Sequence, residues 1–296
     1  MKAVLVTRFG GPEVLRVAEV ERPAPISTEV LVRVLAAGIN PVDWKTRRGD
    51  GVARWVGPPP FIPGWDVAGV VEAMGYGVTR FKVGDLVFGM PWFPRAAGAY
   101  AEYVTAPSRQ LARVPDGVSP IQAAAVPLAW LTAFECLIDT ANVVSGQTVV
   151  VHGAAGGVGH IAVQIAEARG ARVVSTTGRH DREALQTRDV DVALDLVGDD
   201  IAGLLGTLRD GGLLLEVAGY PSDEVRRKAN ERGVRVEEPL VEPDGHALDE
   251  AAQALKAGAL TVNVRQTFPL EQAAAAHEML ERGGVRGKLV LEVGHD

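Results

Sequence analysis

Along the first third of the chain, apolar and polar residues alternate in short runs broken by Gly and Pro: MKAVLVT, EVLRVAEV and EVLVRVLAAG. A period of two predicts strands of a half-buried sheet, and with it an antiparallel or barrel-like body. Strand signals continue at DVAGVVEA, DLVFG and AEYVTAP, whereas PPPFIPG, residues 58 to 64, is too rich in proline for regular structure and reads as loop. From about residue 120 the pattern changes. Ala-rich helical stretches alternate with apolar runs, TVVVHG, ARVVST, DVALDLVG and GLLLEVAG, which predict strands buried on both faces. That alternation belongs to a doubly wound α/β domain. A last helix, EQAAAAHEMLER, opened by Pro269 and stopped by Gly283 and Gly284, leads into a strand, GKLVLEV.

The segment TVVVHGAAGGVGHIAVQIAEARGARVVST runs strand, glycine-rich turn, helix, Gly stop and strand. Its turn reads Ala154-x-Gly156-x-x-Gly159, with Gly157 and Val158 between, and helical spacing follows at Val158, Ile161, Ala162 and Ile165. A tight turn, backbone N–H groups able to approach a pyrophosphate, and close packing of helix on strand each have a residue here. A dinucleotide site is expected. An NAD site has an Asp or Glu about 20 residues past the first glycine. Here the stretch is Ser175, Thr176, Thr177, Gly178, Arg179. Hydroxyls and a guanidinium suit a 2′-phosphate, so NADPH is expected over NADH. Arg179 as a solvated loop charge, and Asp181 as a ribose ligand, are the other readings. His152, before the turn, reads as a packed strand-end residue rather than a catalyst.

Composition narrows the partners. The 296 residues are 47% hydrophobic and 23% charged, enough for two globular domains. A net charge of -7 with no basic block argues against nucleic-acid or membrane-surface partners and leaves small molecules. Cys136 is the one cysteine, which rules out an internal disulfide framework and fits a reducing cytoplasm. The apolar run of MKAVLVTRFGG is short for a signal peptide and is interrupted by Arg8. No nucleophile with a paired base stands out, so covalent catalysis is not indicated.

AAGINPVDW, PGWDVAGVV, FKVGDLVFG, GAYAEYV, PLAWLTAFECL, VHGAAGGVG and RGGVRGKLVLEV, in that order, resemble the zinc-independent quinone oxidoreductase branch of the medium-chain dehydrogenase/reductase superfamily nearly end to end. The resemblance implies an α/β protein: a GroES-like β-rich catalytic domain over 1–121 and 265–296, with a Rossmann NADPH-binding domain over 122–264. It implies an active site in the cleft and a homodimer through the edge of the cofactor domain. One departure is large. Only GRHDREALQTRDV separates ARVVST from DVALDLVG, room for one helix and no further strand, so the cofactor sheet is expected to be shortened after its second strand.

In zinc-bearing relatives the positions matching Asn40 and Trp65 are Cys and His ligands. An amide and an indole cannot replace them, so no zinc or other metal site is expected. A metal-free reductase suits a quinone or an α,β-unsaturated carbonyl, where conjugation spreads the charge that hydride delivers and a few hydrogen-bond donors suffice. By resemblance Asn40 lies beside nicotinamide and substrate; capping of the turn before Pro41 is its other reading. Asp43 reads mainly as a structural acceptor, for Lys45 or backbone N–H groups. Trp44 and Trp65 read either as walls of a pocket for a flat ring or as core. Tyr100 either reaches that pocket or does not. Thr132 matches a threonine near nicotinamide, or is an ordinary helix residue, and Lys288 a lysine near the cofactor, or an ordinary surface residue. Val197 and Gly219, after the strands DVALD and GLLLE, complete the expected cofactor contacts. The expected function is NADPH-dependent hydride transfer to a quinone or enone. The alternatives are an enoyl-thioester or polyketide-type enone reductase, or an NADPH-binding sensor or structural protein without turnover.

Overall fold

The computed structural model describes residues 1–176 and 186–294, which form two compact units: Met1–Leu128 with Glu242–Asp296, and Ala129–Val241. In the first, β1 (Lys2–Val6) and β2 (Leu15–Glu19) pair as a ribbon. A seven-stranded sheet is built on β3 (Glu29–Ile39), which leads through Asn40 into α1 (Pro41–Arg48) and the single turn α2 (Ala53–Val56). Next come β4 (Asp66–Met74), β5 (Leu86–Gly89), β6 (Tyr103–Pro107) and β7 (Leu111–Arg113). Helices α3 (Pro120–Ala124) and α4 (Pro127–Phe134) follow, the second running into a π-helical turn, Glu135–Thr140.

The second unit is a parallel sheet: β8 (Thr148–His152), α5 (Gly159–Ala168), β9 (Arg172–Thr176), β10 (Val190–Asp195), α6 (Ile201–Thr207), β11 (Leu208–Glu216), α7 (Asp223–Glu231) and β12 (Arg235–Glu237). Strand order is β12-β11-β10-β8-β9. Among the described residues β9 pairs with β8 alone and ends the sheet there, matching the shortening read from the sequence. The helix expected in GRHDREALQTRDV falls mostly on residues 177–185, outside those described. Val150, Ala193, Leu204 and Leu214 form part of this unit's own core.

The chain then returns to the first unit with α8 (Gly245–Lys256), β13 (Val264–Pro269), α9 (Ala273–Glu281) and β14 (Lys288–Glu292). Sheet order is β13-β14-β3-β4-β5-β7, with β6 on the other half of β3. β3 pairs with β14, β4 and β6 along its edges and is buried on both faces, where the sequence pattern predicted a half-buried strand. The seam also differs from the expected 121/122 and 264/265. Residues 242–264 pack with the first unit: Arg80 donates to Gly245 O at 3.1 Å and pairs with Asp249 at 2.5 Å. A Cβ on Gly245 would come within 2.3 Å of Arg109 O, so only glycine allows α8 this close. No helix among the described residues is long and apolar enough to cross a membrane.

Candidate active site

Sheet register assembles the first cluster. Antiparallel neighbours place Leu289 of β14 opposite Ile39 of β3, and Asp66 of β4 opposite Gly38, so Asn40 emerges between Lys288 and Asp66. Gly38 makes the room: a Cβ there would meet Ala124 O at 2.3 Å and Asp66 Cβ at 2.8 Å. The Asn40 carbonyl oxygen accepts from the Lys288 ammonium, and its Nδ2 donates to Asp66 Oδ2 at 2.8 Å. Lys288 also pairs with that carboxylate oxygen at 3.2 Å, while Asp66 Oδ1 accepts the Leu128 N–H at 2.8 Å. All three side chains are buried, so the ion pair is shielded from water. An ammonium carries three hydrogens and an amide nitrogen two. Lys288 and Asn40 therefore each keep one hydrogen with no protein acceptor among the described residues.

A second buried chain meets the first at Asn40. Asp43 Oδ2 accepts the Asn40 N–H at 2.6 Å and the Tyr100 hydroxyl at 3.0 Å. Tyr100 meets His277 Nε2 at 3.2 Å, His277 Nδ1 meets Arg47 at 3.3 Å, and Arg47 pairs with Glu281. Arginine only donates, so Nδ1 is the accepting nitrogen, Nε2 carries the hydrogen, and every bond runs from Arg47 toward Asp43. Burial, then the Arg47 charge, pushes His277 down to about 3, in keeping with a neutral ring. Burial above all raises the Asp43 carboxyl to about 7, with the nearby Asp66 charge adding to it. It also raises the Tyr100 hydroxyl.

These contacts locate the other expected pocket residues. Tyr100 is fully buried with its hydroxyl engaged, and Asp43 takes Asn40 and Tyr100 as partners rather than Lys45. Trp65 is core: its Nε1 donates to Arg95 O at 2.7 Å and its ring meets Phe93 edge-on at 5.4 Å. Trp44 is half-buried, with the Arg48 guanidinium 5.8 Å from its ring centre. Asn40 does cap α1, but its side chain is turned to Lys288 and Asp66.

In the second unit the glycine-rich turn links β8 to α5. Gly153 adopts φ +89, and its N–H and that of Ala154 both donate to Thr176 O. A Cβ on Gly159 would lie 2.2 Å from Gly153 O; one on Gly156 would lie 3.2 Å from the same oxygen. The N–H groups of Gly157, Val158 and Gly159 have no acceptor among the described residues. Three free donors at a helix start, on a half-buried turn, fit a pyrophosphate. Of the hydroxyls expected at a 2′-phosphate, Ser175 is exposed at the end of β9, whereas Thr176 is buried with its Oγ1 2.5 Å from His152 Nδ1. Thr177 and Arg179 lie outside the described residues. His152 Nε2 meets Asp199 at 2.8 Å, as befits a packed strand end. Thr132 is buried in α4, Val197 is exposed, and the Gly219 N–H donates to Glu216.

Sequence reasoning passed over Asp66, Arg47 and His277. Asp66 had a signal, a carboxylate opening the otherwise apolar DVAGVV, and His277 another, a lone imidazole in AAAAHEML. Nothing local marks Arg47.

Residues 27–116 match the family model for the alcohol dehydrogenase GroES-like domain and residues 166–291 that for zinc-binding dehydrogenases. The quinone oxidoreductase of Sus scrofa is 32% identical, the match covering 98% of this chain and 97% of that one. The chain belongs to the zinc-independent quinone oxidoreductase branch of the medium-chain dehydrogenase/reductase superfamily. Members of this branch are oxidoreductases, and so is this chain. The solved quinone oxidoreductase of Coxiella burnetii superposes with a TM-score of 0.90 at 32% identity, covering 99% of both chains. That of Escherichia coli, solved with NADPH, gives 0.85 at 29%, covering 99% of this chain and 100% of that one. The alignment to the porcine enzyme spans 326 positions, 30 more than this chain has residues, in line with a shortened oxidoreductase.

Proposed function

We propose that this oxidoreductase reduces a quinone or an α,β-unsaturated carbonyl by hydride transfer from NADPH, with no metal. The observation that carries the reading is the Asn40, Lys288 and Asp66 cluster. Where zinc relatives place two ligands, this chain has an amide committed to an ion pair and an indole committed to Arg95, and neither supplies a lone pair that a zinc ion would take. No group of three His, Cys, Asp or Glu side chains suited to a metal occurs among the described residues.

Bound NADPH supplies the hydride. The first unit's residues serve the acceptor: Lys288 and Asn40, through the hydrogen each has left, meet the oxygen on which charge develops. Asp66 pairs with Lys288 and orients the Asn40 amide, so both donors are fixed before substrate arrives. Conjugation carries the electron pair from the carbon that takes hydride to that oxygen, and a proton from water completes the hydroquinone or the saturated carbonyl. On the second unit, Gly157, Val158 and Gly159 offer their N–H groups to the pyrophosphate. Preference for NADPH over NADH is supported by the absence of a carboxylate among residues 175–179.

Purified protein is assayed for NADPH oxidation with simple benzoquinones and cyclic enones, with and without EDTA. The expected outcome is turnover that chelation leaves unchanged. Failure across the whole acceptor panel, or dependence on stoichiometric zinc, overturns the proposal.

A further inference from the structure

Four polar residues stand side by side at one level of the second unit's sheet. Thr176 of β9 pairs with His152 of β8, His152 with Asp195 of β10, and Asp195 with Glu216 of β11. None is more than 2% exposed, in a kind of sheet whose strands are otherwise apolar. His152 is satisfied by Thr176 and Asp199. The two carboxyl groups are not satisfied in that way. Asp195 Oδ1 accepts the N–H groups of Val197 and Gly198, each at 2.9 Å, and Glu216 Oε1 those of Ala218 at 3.1 Å and Gly219 at 2.6 Å. The second oxygens, Asp195 Oδ2 and Glu216 Oε2, are buried and meet no donor among the described residues.

The two carboxyl groups are register partners on adjacent parallel strands, both buried, and each has one oxygen left that could only be satisfied by a proton. A single shared proton fills both vacancies at once. Each carboxyl also folds its strand end into a tight loop, and the loops touch: a Cβ on Gly198 would come 3.0 Å from Gly219 N. These loops carry Val197 and Gly219, the cofactor contacts read from the sequence.

We propose that Asp195 and Glu216 share one proton across the ends of β10 and β11, and that this bridge is a positioning device. It holds the loops of Val197 and Gly219 for NADPH and loosens the cofactor when the proton leaves. The inference rests on the reading of the second unit as the cofactor-binding one.

Burial foremost, and then the Asp195 charge, raises the Glu216 carboxyl to about 8, so the bridge is intact at neutral pH and opens in mild alkali. Other charged or titratable groups on the surrounding elements are His152 of β8 with Asp199, Asp200 at the start of α6, His160 in the first turn of α5, and Glu237 at the end of β12. His152 is the nearest in register, and its two ring nitrogens meet Thr176 and Asp199. Above the transition two buried carboxylates stand side by side on adjacent strands, and their repulsion acts on the loops they hold.

The test compares wild type with Glu216→Gln and Asp195→Asn, either of which supplies an amide N–H in place of the shared proton. Thermal unfolding of the cofactor-free protein and NADPH affinity by fluorescence are followed from about pH 7 to about 9.5. In the wild type the unfolding midpoint falls as pH rises from about 7 and levels off above about 8, while the NADPH Kd begins to rise near 8 and is about tenfold higher by about pH 9. Both variants flatten the two curves. If both variants fold and keep the wild-type slopes, or the wild type has none, the shared proton is wrong. A sloping midpoint with a flat Kd overturns the positioning role. No NADPH binding at any pH would defeat the cofactor reading instead, while the unfolding curves still decide the bridge. Either variant alone suffices should the other not fold.

Discussion

Asn40 and Asp66 are joined by a 2.8 Å hydrogen bond from amide to carboxylate, and this bond fixes which way the amide faces. With Nδ2 on Asp66, the carbonyl oxygen is left for the Lys288 ammonium. An amide locked at both ends cannot turn to suit a ligand; any acceptor must come to it.

Removing the ammonium should therefore be costly. Lys288→Met leaves Asp66 as a buried carboxylate without its counter-ion and is expected to destabilise the protein by about 3 to 5 kcal/mol. Adding Asp66→Asn to that variant removes the orphaned charge and should restore part of the loss. Urea unfolding of the two single variants and the double variant gives the coupling directly.

Asn40→Ala removes one of the two donors assigned to the acceptor oxygen. A fall of about a hundredfold or more in kcat is expected with quinone or enone acceptors, while the NADPH Kd changes much less. A steady-state comparison alongside a binding titration separates the two, and an unchanged kcat would remove Asn40 from the reaction.

The two turn glycines should differ. Gly159→Ala drives a methyl into the Gly153 carbonyl at 2.2 Å, where backbone has to move, so both the melting temperature and cofactor binding should collapse. Gly156→Ala meets the same oxygen at 3.2 Å. That variant should keep nearly wild-type melting and lose NADPH affinity by about tenfold, because its methyl occupies the approach of the pyrophosphate. Differential scanning fluorimetry with and without NADPH reads both effects.

Asp43 gives the first unit a stability that depends on pH. Its carboxyl is raised to about 7 in the folded protein, from an ordinary value near 3.8, so the folded state holds a proton that the unfolded chain has released. The contribution is fully present below about pH 4 and is lost as pH rises through about 7, on the order of 2 to 4 kcal/mol in all. Asp43→Asn keeps an oxygen for the Asn40 N–H and the Tyr100 hydroxyl but cannot ionise. Its unfolding free energy, measured by denaturant titration across that range, should lack this decline.

What could be read from the chain alone follows the range over which each signal acts. The glycine-rich turn was legible because its requirements are local: Gly159 packs against Gly153, six positions away. The shortening after β9 was legible because it is a matter of counting residues between two apolar runs. The seam was not. Residues 242–264 belong with the first unit through Arg80, which is far away in sequence, and an amphipathic helix does not declare which sheet it will cover. The aromatic residues were ambiguous for a similar reason. Trp65 and Tyr100 have the flat faces a pocket needs, yet only the fold shows that one is spent on Arg95 and the other on Asp43 and His277. Asp66 was passed over because its importance lies in being opposite Gly38 in a strand pairing that no local pattern announces.

Asn40 and Lys288 are separated by 248 positions, with the whole of the second unit strung between them. A polypeptide emerging from the ribosome thus completes its second unit as one continuous stretch before the strand bearing Lys288 exists to dock beside β3. Through that interval the nascent chain has the glycine-rich turn but not the contact between Asn40 and Lys288 to which the acceptor oxygen is assigned. The order of synthesis thereby makes the proposed acceptor site the last part of the first unit to be completed.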